Sequence, residues 1–147
     1  MAEAKAEIIH YGMTARCHSP IEALFLTAFH IVAEEHGGFF FEEPVLGPKA
    51  FFFVKLQDPI GSYRADFVVG IYDHPEYQRI VVECDGHDFH ERTKDQAAHD
   101  RARDREMQKL GYKVFRFTGS ELYRDAIGCA TEVVDQAIVI CANEVPQ

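Results

Sequence analysis

Two strand-forming runs, YRADFVVGIY (63–72) and YQRIVVEC (77–84), are separated by only four residues, DHPE. So short a connection dictates an antiparallel hairpin, because parallel strands need a crossover of about a dozen residues or more. Folding the hairpin symmetrically about DHPE sets Tyr72 against Tyr77, Val69 against Ile80, Phe67 against Val82 and Ala65 against Cys84. That face is wholly apolar. The other face pairs Val68 with Val81, Asp66 with Glu83 and Arg64 with Asp85. A slip of one residue would mix the faces, whereas a slip of two would preserve them. In this register two carboxylates stand opposite each other, with Cβ atoms about 5 Å apart. They repel unless one is protonated or a cation sits between them.

The remaining segments place the hairpin in an α/β fold. SPIE (19–22) reads as a helix start, with Ser19 as N-cap, Pro20 at the first helical position and Glu22 at the capping-box position. Ile21, Leu24, Phe25, Ala28, Phe29, Val32 and Ala33 follow at helical spacing until Gly37-Gly38. FFFEEPV (39–45) and AFFFVKL (50–56) read as short strands, and QDPIG (57–61) as a turn. Residues 91–110 form a charged helix with a narrow apolar face, ending at Gly111, and KVFRF (113–117) is a further strand. Ile127, Ala130, Val134, Ala137, Ile138 and Cys141 mark a last helix. Strand 77–84, helix 91–110 and strand 113–117 make a β-α-β unit, which predicts parallel strands and a right-handed crossover. The 147 residues suit one domain, read as an extension over 1–18, a core over 19–124 and a C-terminal helix over 125–147.

The stretch VVECDGHDFH (81–90) concentrates the chemistry. Valines run straight into Glu83, Cys84, Asp85, His87, Asp88 and His90, at the end of a strand where open α/β sheets place their sites. Carboxylates spaced like Asp66 and Glu83 can share one Mg²⁺ or Mn²⁺, which prefer hard oxygen ligands. Plainer readings stand beside this one. Asp66 and Glu83 can simply end two strands in water. Asp85 can pair with Arg64, with Asp85-Gly86 as a turn. His87 and His90 can be surface residues, and Glu22 can be only a cap. Cys17, Cys84, Cys129 and Cys141 include no C-x-x-C pair and read as free thiols, which argues against a structural zinc site. A transition-metal site from Cys84, His87 and His90 fits the adjacent carboxylates less well than a hard cation does.

Fifteen basic residues against 24 acidic ones give a formal charge of −9, the wrong sign for a general nucleic-acid coat protein. The run ERTKDQAAHDRARDREMQK is most simply a solvated face, but Arg101, Arg103, Arg105 and Lys109 would make a local phosphate-binding surface. No apolar run approaches the roughly 20 residues of a membrane span. MAEAKAEIIHYG lacks a basic segment followed by an apolar core. A cytoplasmic protein with no membrane contact is therefore expected.

Taken in order, SPIE, QDPIGSYRADF, IVVECDGHDFH and DRARDREMQKLGYKVFRF, spread over about residues 19–124, resemble the PD-(D/E)XK nuclease fold. The likeness is closer to its branch of small proteins akin to the very-short-patch-repair (Vsr) endonuclease. The resemblance implies a restriction-endonuclease-like core, α-β-β-β-α-β, with a mixed central sheet flanked by helices. It implies Asp66 and Glu83 as ligands of Mg²⁺ or Mn²⁺, with Asp85 and the Cys84 carbonyl as further candidates and Glu22 in support near the metal or its water. The lysine usual in the widest family pattern is Asp85 here. That leaves Asp85, His87, His90 and Lys94 as candidates to handle the proton. The expected activity is metal-dependent hydrolysis of DNA phosphodiester bonds, with Arg64, Lys94, Arg101, Arg103 and Arg105 against the nucleic acid. The alternative is an inactive nuclease-fold module that binds nucleic acid or a protein partner. A double-strand break calls for two sites, which a homodimer would supply.

Overall fold

The structure, a computed structural model, describes residues 17–36, 39–41, 52–71, 80–86 and 93–144. The elements are α1 (Pro20–Glu34), β1 (Phe39–Phe41), β2 (Phe52–Ile60), β3 (Tyr63–Ile71), β4 (Ile80–Asp85), α2 (Lys94–Lys109), β5 (Lys113–Thr118) and α3 (Gly119–Glu144). They build one sheet of five strands in the order β1-β2-β3-β4-β5. The β1–β2 and β4–β5 pairs are parallel, and β2–β3 and β3–β4 are antiparallel. This is the mixed central sheet flanked by helices that the resemblance implied.

Local chemistry accounts for the helix starts. Ser19 is extended, its Oγ accepts from the Glu22 amide at 3.3 Å, and Pro20 opens α1. Thr93 and Gln96 form a full capping box, so α2 begins at Lys94 rather than at residue 91. Of the turn expected over QDPIG only Gly61 takes part, and QDPI is strand. β2 continues through it, with Asp58 opposite Ala65, Pro59 opposite Arg64 and Ile60 opposite Tyr63. The chain reverses instead at Gly61-Ser62, where Gly61 takes φ 57°, as a tight hairpin demands. Pro59 is tolerated because β1 pairs only with Phe52–Val54, so the outer edge of β2 asks no amide of it among the described residues.

The central register is the expected one: Phe67 opposite Val82, Val68 opposite Val81 and Val69 opposite Ile80. Tyr72 and Tyr77 lie outside the described residues. Phe67, Val69, Ile80 and Val82 pack with Phe25, Leu26 and Phe29 of α1 and Ala130, Val133 and Val134 of α3. On the other face Val68, Val81 and Ile60 close over Met107 of α2. One placement departs from the expected alternation. Ala65 joins Val68 in this smaller cluster, while Cys84 packs against the larger one. Residues three apart fall on opposite faces of a regular strand, so β3 is irregular between them. The β2–β3 ladder indeed omits the Gln57–Asp66 step, and Gln57 has φ 51°.

Leu122, Ala130, Val133, Val134, Ala137 and Ile140 of α3 seal the larger core. Ile127, expected in that stripe, is exposed, because it lies at the margin of the buried face. Gly119–Glu144 bends at Asp125 (φ −156°, ψ 70°). The Asp125 Oδ1 accepts from the Gly128 amide at 2.9 Å and so caps the second half. A Cβ on Gly128 would lie 2.2 Å from Asp125 Oδ2, which explains the glycine. Among the described residues no helix is long and apolar enough to cross a membrane. Gly128→Ala should displace the capping carboxylate and lower unfolding free energy by about 1 kcal/mol. Urea unfolding beside Asp125→Ala checks this, and the two losses should not add, because both remove the same cap.

Candidate active site

The β3–β4 ladder is formed as far as Phe67–Val82. Beyond it the Asp66 carboxylate itself takes the Cys84 amide, N to Oδ2 at 2.8 Å. The hairpin therefore brings Asp66 and Glu83 together, as the register predicted, but through a side chain that has replaced a backbone acceptor. Glu83 is only 3% exposed. Burial first, and the Asp66 carboxylate second, push its pKa up to about 8, while Arg103 pulls the other way. The Cys84 thiol is pushed far up by burial and by Asp66, so it is not a nucleophile.

Two arginines from neighbouring elements balance these acids. Arg103 of α2 reaches Glu83 Oε1 with Nη2 at 2.7 Å, and the same Nη2 donates to the Arg64 carbonyl. Its guanidinium lies 5.6 Å from the Tyr63 ring centroid, within cation–π range. Arg116 of β5 grips Asp104 with two nitrogens, Nη2 to Oδ1 at 2.7 Å and Nε to Oδ2 at 3.3 Å. Its Nη1 stands 3.9 Å from Asp85 Oδ2. Arg116, not Arg64, is thus the cation nearest Asp85 among the described residues; Arg64 is exposed and contributes its carbonyl. The resulting cleft holds about 340 Å³ and is lined by Asp66, Glu83, Asp85 and Asp100, by Arg103 and Arg116, and by Cys84, Gly86 and Gln96. Four carboxylates against two guanidiniums make it a cation-attracting cleft.

A second buried carboxylate supports the first pair. Glu22 is 5% exposed. It does not close a capping box. Its Oε2 accepts from Ser19 Oγ at 2.7 Å and its Oε1 from Gln57 Nε2 at 2.8 Å. Burial raises its pKa, the Ser19 hydrogen bond offsets part of this, and Asp66 raises it further. Gln57 is a site residue that sequence reading missed, because QDP looks like turn chemistry. Its left-handed φ of 51° within a strand is the signal, and only the folded backbone displays it.

The other expected residues divide by exposure. Arg101 and Arg105, four apart on α2, are exposed, as are Lys94 and Arg64. Arg103 turns inward to Glu83. Lys94 is not among the residues lining the cleft. His87 and His90 lie outside the described residues. Among the described residues no group of three or more His, Cys, Asp and Glu side chains is arranged to hold a metal ion. Asp66 and Glu83 are a pair.

Residues 49–137, more than half of the chain, match the family model REase_MTES_1575, a restriction-endonuclease-like family. No curated protein and no solved structure matches the chain.

The raised pKa of Glu83 fixes the sign of a pH effect. A carboxyl that binds its proton more tightly when folded stabilises the protein fully below its unfolded pKa, and that stabilisation is lost as pH rises through about 8. Glu22 acts in the same sense. In chelator, stability should therefore fall by about 4 kcal/mol between pH 5 and pH 8.5, on the order of 10 °C in Tm. Glu83→Gln, which keeps an acceptor for Arg103 and a donor for Asp66, should remove most of that slope in calorimetric melts. Gln57→Ala should cost about 1–3 kcal/mol by chemical denaturation, because it strips a buried carboxylate of a donor.

Proposed function

We propose that this chain, which belongs to the restriction-endonuclease-like REase_MTES_1575 family, is a metal-dependent endonuclease that hydrolyses DNA phosphodiester bonds. The observation that carries this reading is the convergence of Asp66 and Glu83 at one wall of an acid-lined cleft. The donor set fits a hard divalent cation. Asp66 Oδ2 is held by the Cys84 amide and Glu83 Oε1 by Arg103, and the two carboxyls share a side-chain hydrogen bond whose proton a divalent cation would replace. Mg²⁺ is commonly bound by one or two carboxylates, with water and substrate phosphate completing its shell. When bound, Mg²⁺ or Mn²⁺ would supply an acidified water and charge stabilisation at the phosphorus.

The chain's own groups take the remaining roles. Asp66 is oriented by a backbone amide and so presents a fixed oxygen. Glu22, held by Ser19 and Gln57, steadies the water beside Asp66. His87 or His90 takes the proton from the attacking water or returns one to the leaving oxygen, since imidazole titrates in the right range. Asp85 is placed by Arg116 at the edge of the cleft and is a further candidate ligand. Arg64, Lys94, Arg101 and Arg105 hold the phosphates that flank the scissile one, the contacts that set register without reading sequence. The reading extends to a Vsr-like enzyme acting in the cytoplasm, and a homodimer would place two such sites on one duplex.

A second reading, a nuclease-fold module that binds without cutting, is favoured by one observation: Arg103 already neutralises Glu83. The two separate on one experiment. Mn²⁺ binding is followed by electron paramagnetic resonance, and DNA cleavage is followed on duplex, mismatched, branched and single-stranded substrates. Asp66→Asn should lower both by more than roughly 100-fold while leaving the fold intact. Unchanged Mn²⁺ binding in Asp66→Asn would overturn the metal assignment, and Mn²⁺ binding with no cleavage of any substrate would favour the module.

A further inference from the structure

The two cleft arginines grip their carboxylates differently. Arg116 holds Asp104 through two nitrogens in a fork, the geometry of a fixed structural pair. Arg103 uses one nitrogen, Nη2, for both Glu83 Oε1 and the Arg64 carbonyl. Its Nε is buried and finds no acceptor among the described residues, a state that costs about 1–3 kcal/mol. The Arg103 side chain is 21% exposed and lines the cleft, whereas the Glu83 side chain is 4% exposed. The Tyr63 ring, 5.6 Å from the guanidinium carbon, offers a face over which the planar group can turn without losing its packing.

Glu83 is also one of the two carboxylates that the preceding reading gives to a divalent cation. A guanidinium at 2.7 Å from Glu83 Oε1 competes electrostatically with a doubly charged ion for the same carboxylate. We propose that Arg103 is an exchangeable counter-ion: it holds Glu83 until a divalent cation takes that carboxylate, and then turns its free N–H groups to a phosphate oxygen of the nucleic acid. The cation in the cleft that faces substrate is then an arginine from α2. Arginine stays protonated, so it neutralises charge and moves no proton. This inference rests on the metal-dependent reading, and the experiment separates the two.

Mn²⁺ affinity and DNA cleavage are measured at pH 8.5 for the wild type, Arg103→Met and Arg103→Lys. Removing a competing positive charge should tighten Mn²⁺ binding in Arg103→Met by roughly threefold or more, while cleavage falls by roughly 100-fold. Arg103→Lys keeps the charge, so its Mn²⁺ affinity should stay within about twofold of wild type. A merely structural arginine would give weaker Mn²⁺ binding when removed, the opposite sign. In case Arg103→Met does not fold, guanidinium nitrogen resonances of the wild type, assigned with Arg103→Lys, are followed through a Mg²⁺ titration. The Arg103 signals should shift with saturation of the ion. Mn²⁺ binding in the wild type with no gain in Arg103→Met, or Arg103 signals unmoved at saturating Mg²⁺, overturns the exchange alone. No Mn²⁺ binding in the wild type overturns the metal-dependent reading and the exchange with it.

Discussion

Asp66 accepts the Cys84 amide at the point where the β3–β4 ladder gives out, and the cleft depends on that substitution. A backbone carbonyl in the same place would carry the pairing on and leave two carboxylates crowded on a flat sheet. A side-chain acceptor satisfies the amide while letting the strands part. Glu83 is thereby buried beside Asp66 in a gap that α2 and β5 reach from the side. A buried amide left unpaired would cost a few kcal/mol, so the arrangement is tightly held although it is not a regular rung.

Burying acids at this density demands compensation. Breaking a buried ion pair by removing one partner typically costs about 3–5 kcal/mol; Arg103 has such a buried partner in Glu83, whereas Arg116 and Asp104 form a partly exposed pair. Arg116 is fixed by the Asp104 fork and sits beside Asp85. Arg103 bridges Glu83 and the β3 backbone. Helix α2 thus does two jobs. Met107 anchors it to the sheet, Arg103 enters the cleft, and Arg101 and Arg105 stay in solvent. A net charge of −9 is compatible with binding a polyanion only where such cations are gathered on one side.

The irregularity at Gln57 belongs to the same design. A non-glycine residue at φ 51° costs on the order of 1 kcal/mol or more, and it persists because the contacts around it hold it. The Gln57 amide meets Glu22 across 35 residues of sequence. The opposing step at Asp66 is missing from the ladder. The distortion of β2 and the turning out of Asp66 are two sides of one event, and they draw the helix carboxylate and the hairpin carboxylates toward each other.

Much of this was legible in the chain. Period-two alternation and a four-residue connection pointed to the Phe67–Val82 register and ruled out a one-residue slip, which would have buried polar groups; the two-residue alternative was excluded only by the folded ladder. The helical stripe after SPIE and the β-α-β unit determined the layers. Gln57, the true turn at Gly61-Ser62, the move of Ala65 to the α2 face and the choice of Arg116 over Arg64 as the neighbour of Asp85 were not legible. Each arises where local preference and tertiary contact disagree. QDPIG has turn chemistry, yet the ladder to Tyr63–Ala65 holds it extended. Arg64 lies opposite Asp85 in an ideal hairpin, yet the strands have parted before reaching it. Sequence patterning decides which faces are apolar, since that follows from periodicity. Which charges meet inside the cleft was decided only by the tertiary structure, because it depends on where a ladder breaks and on which side chain from a distant helix fills the gap.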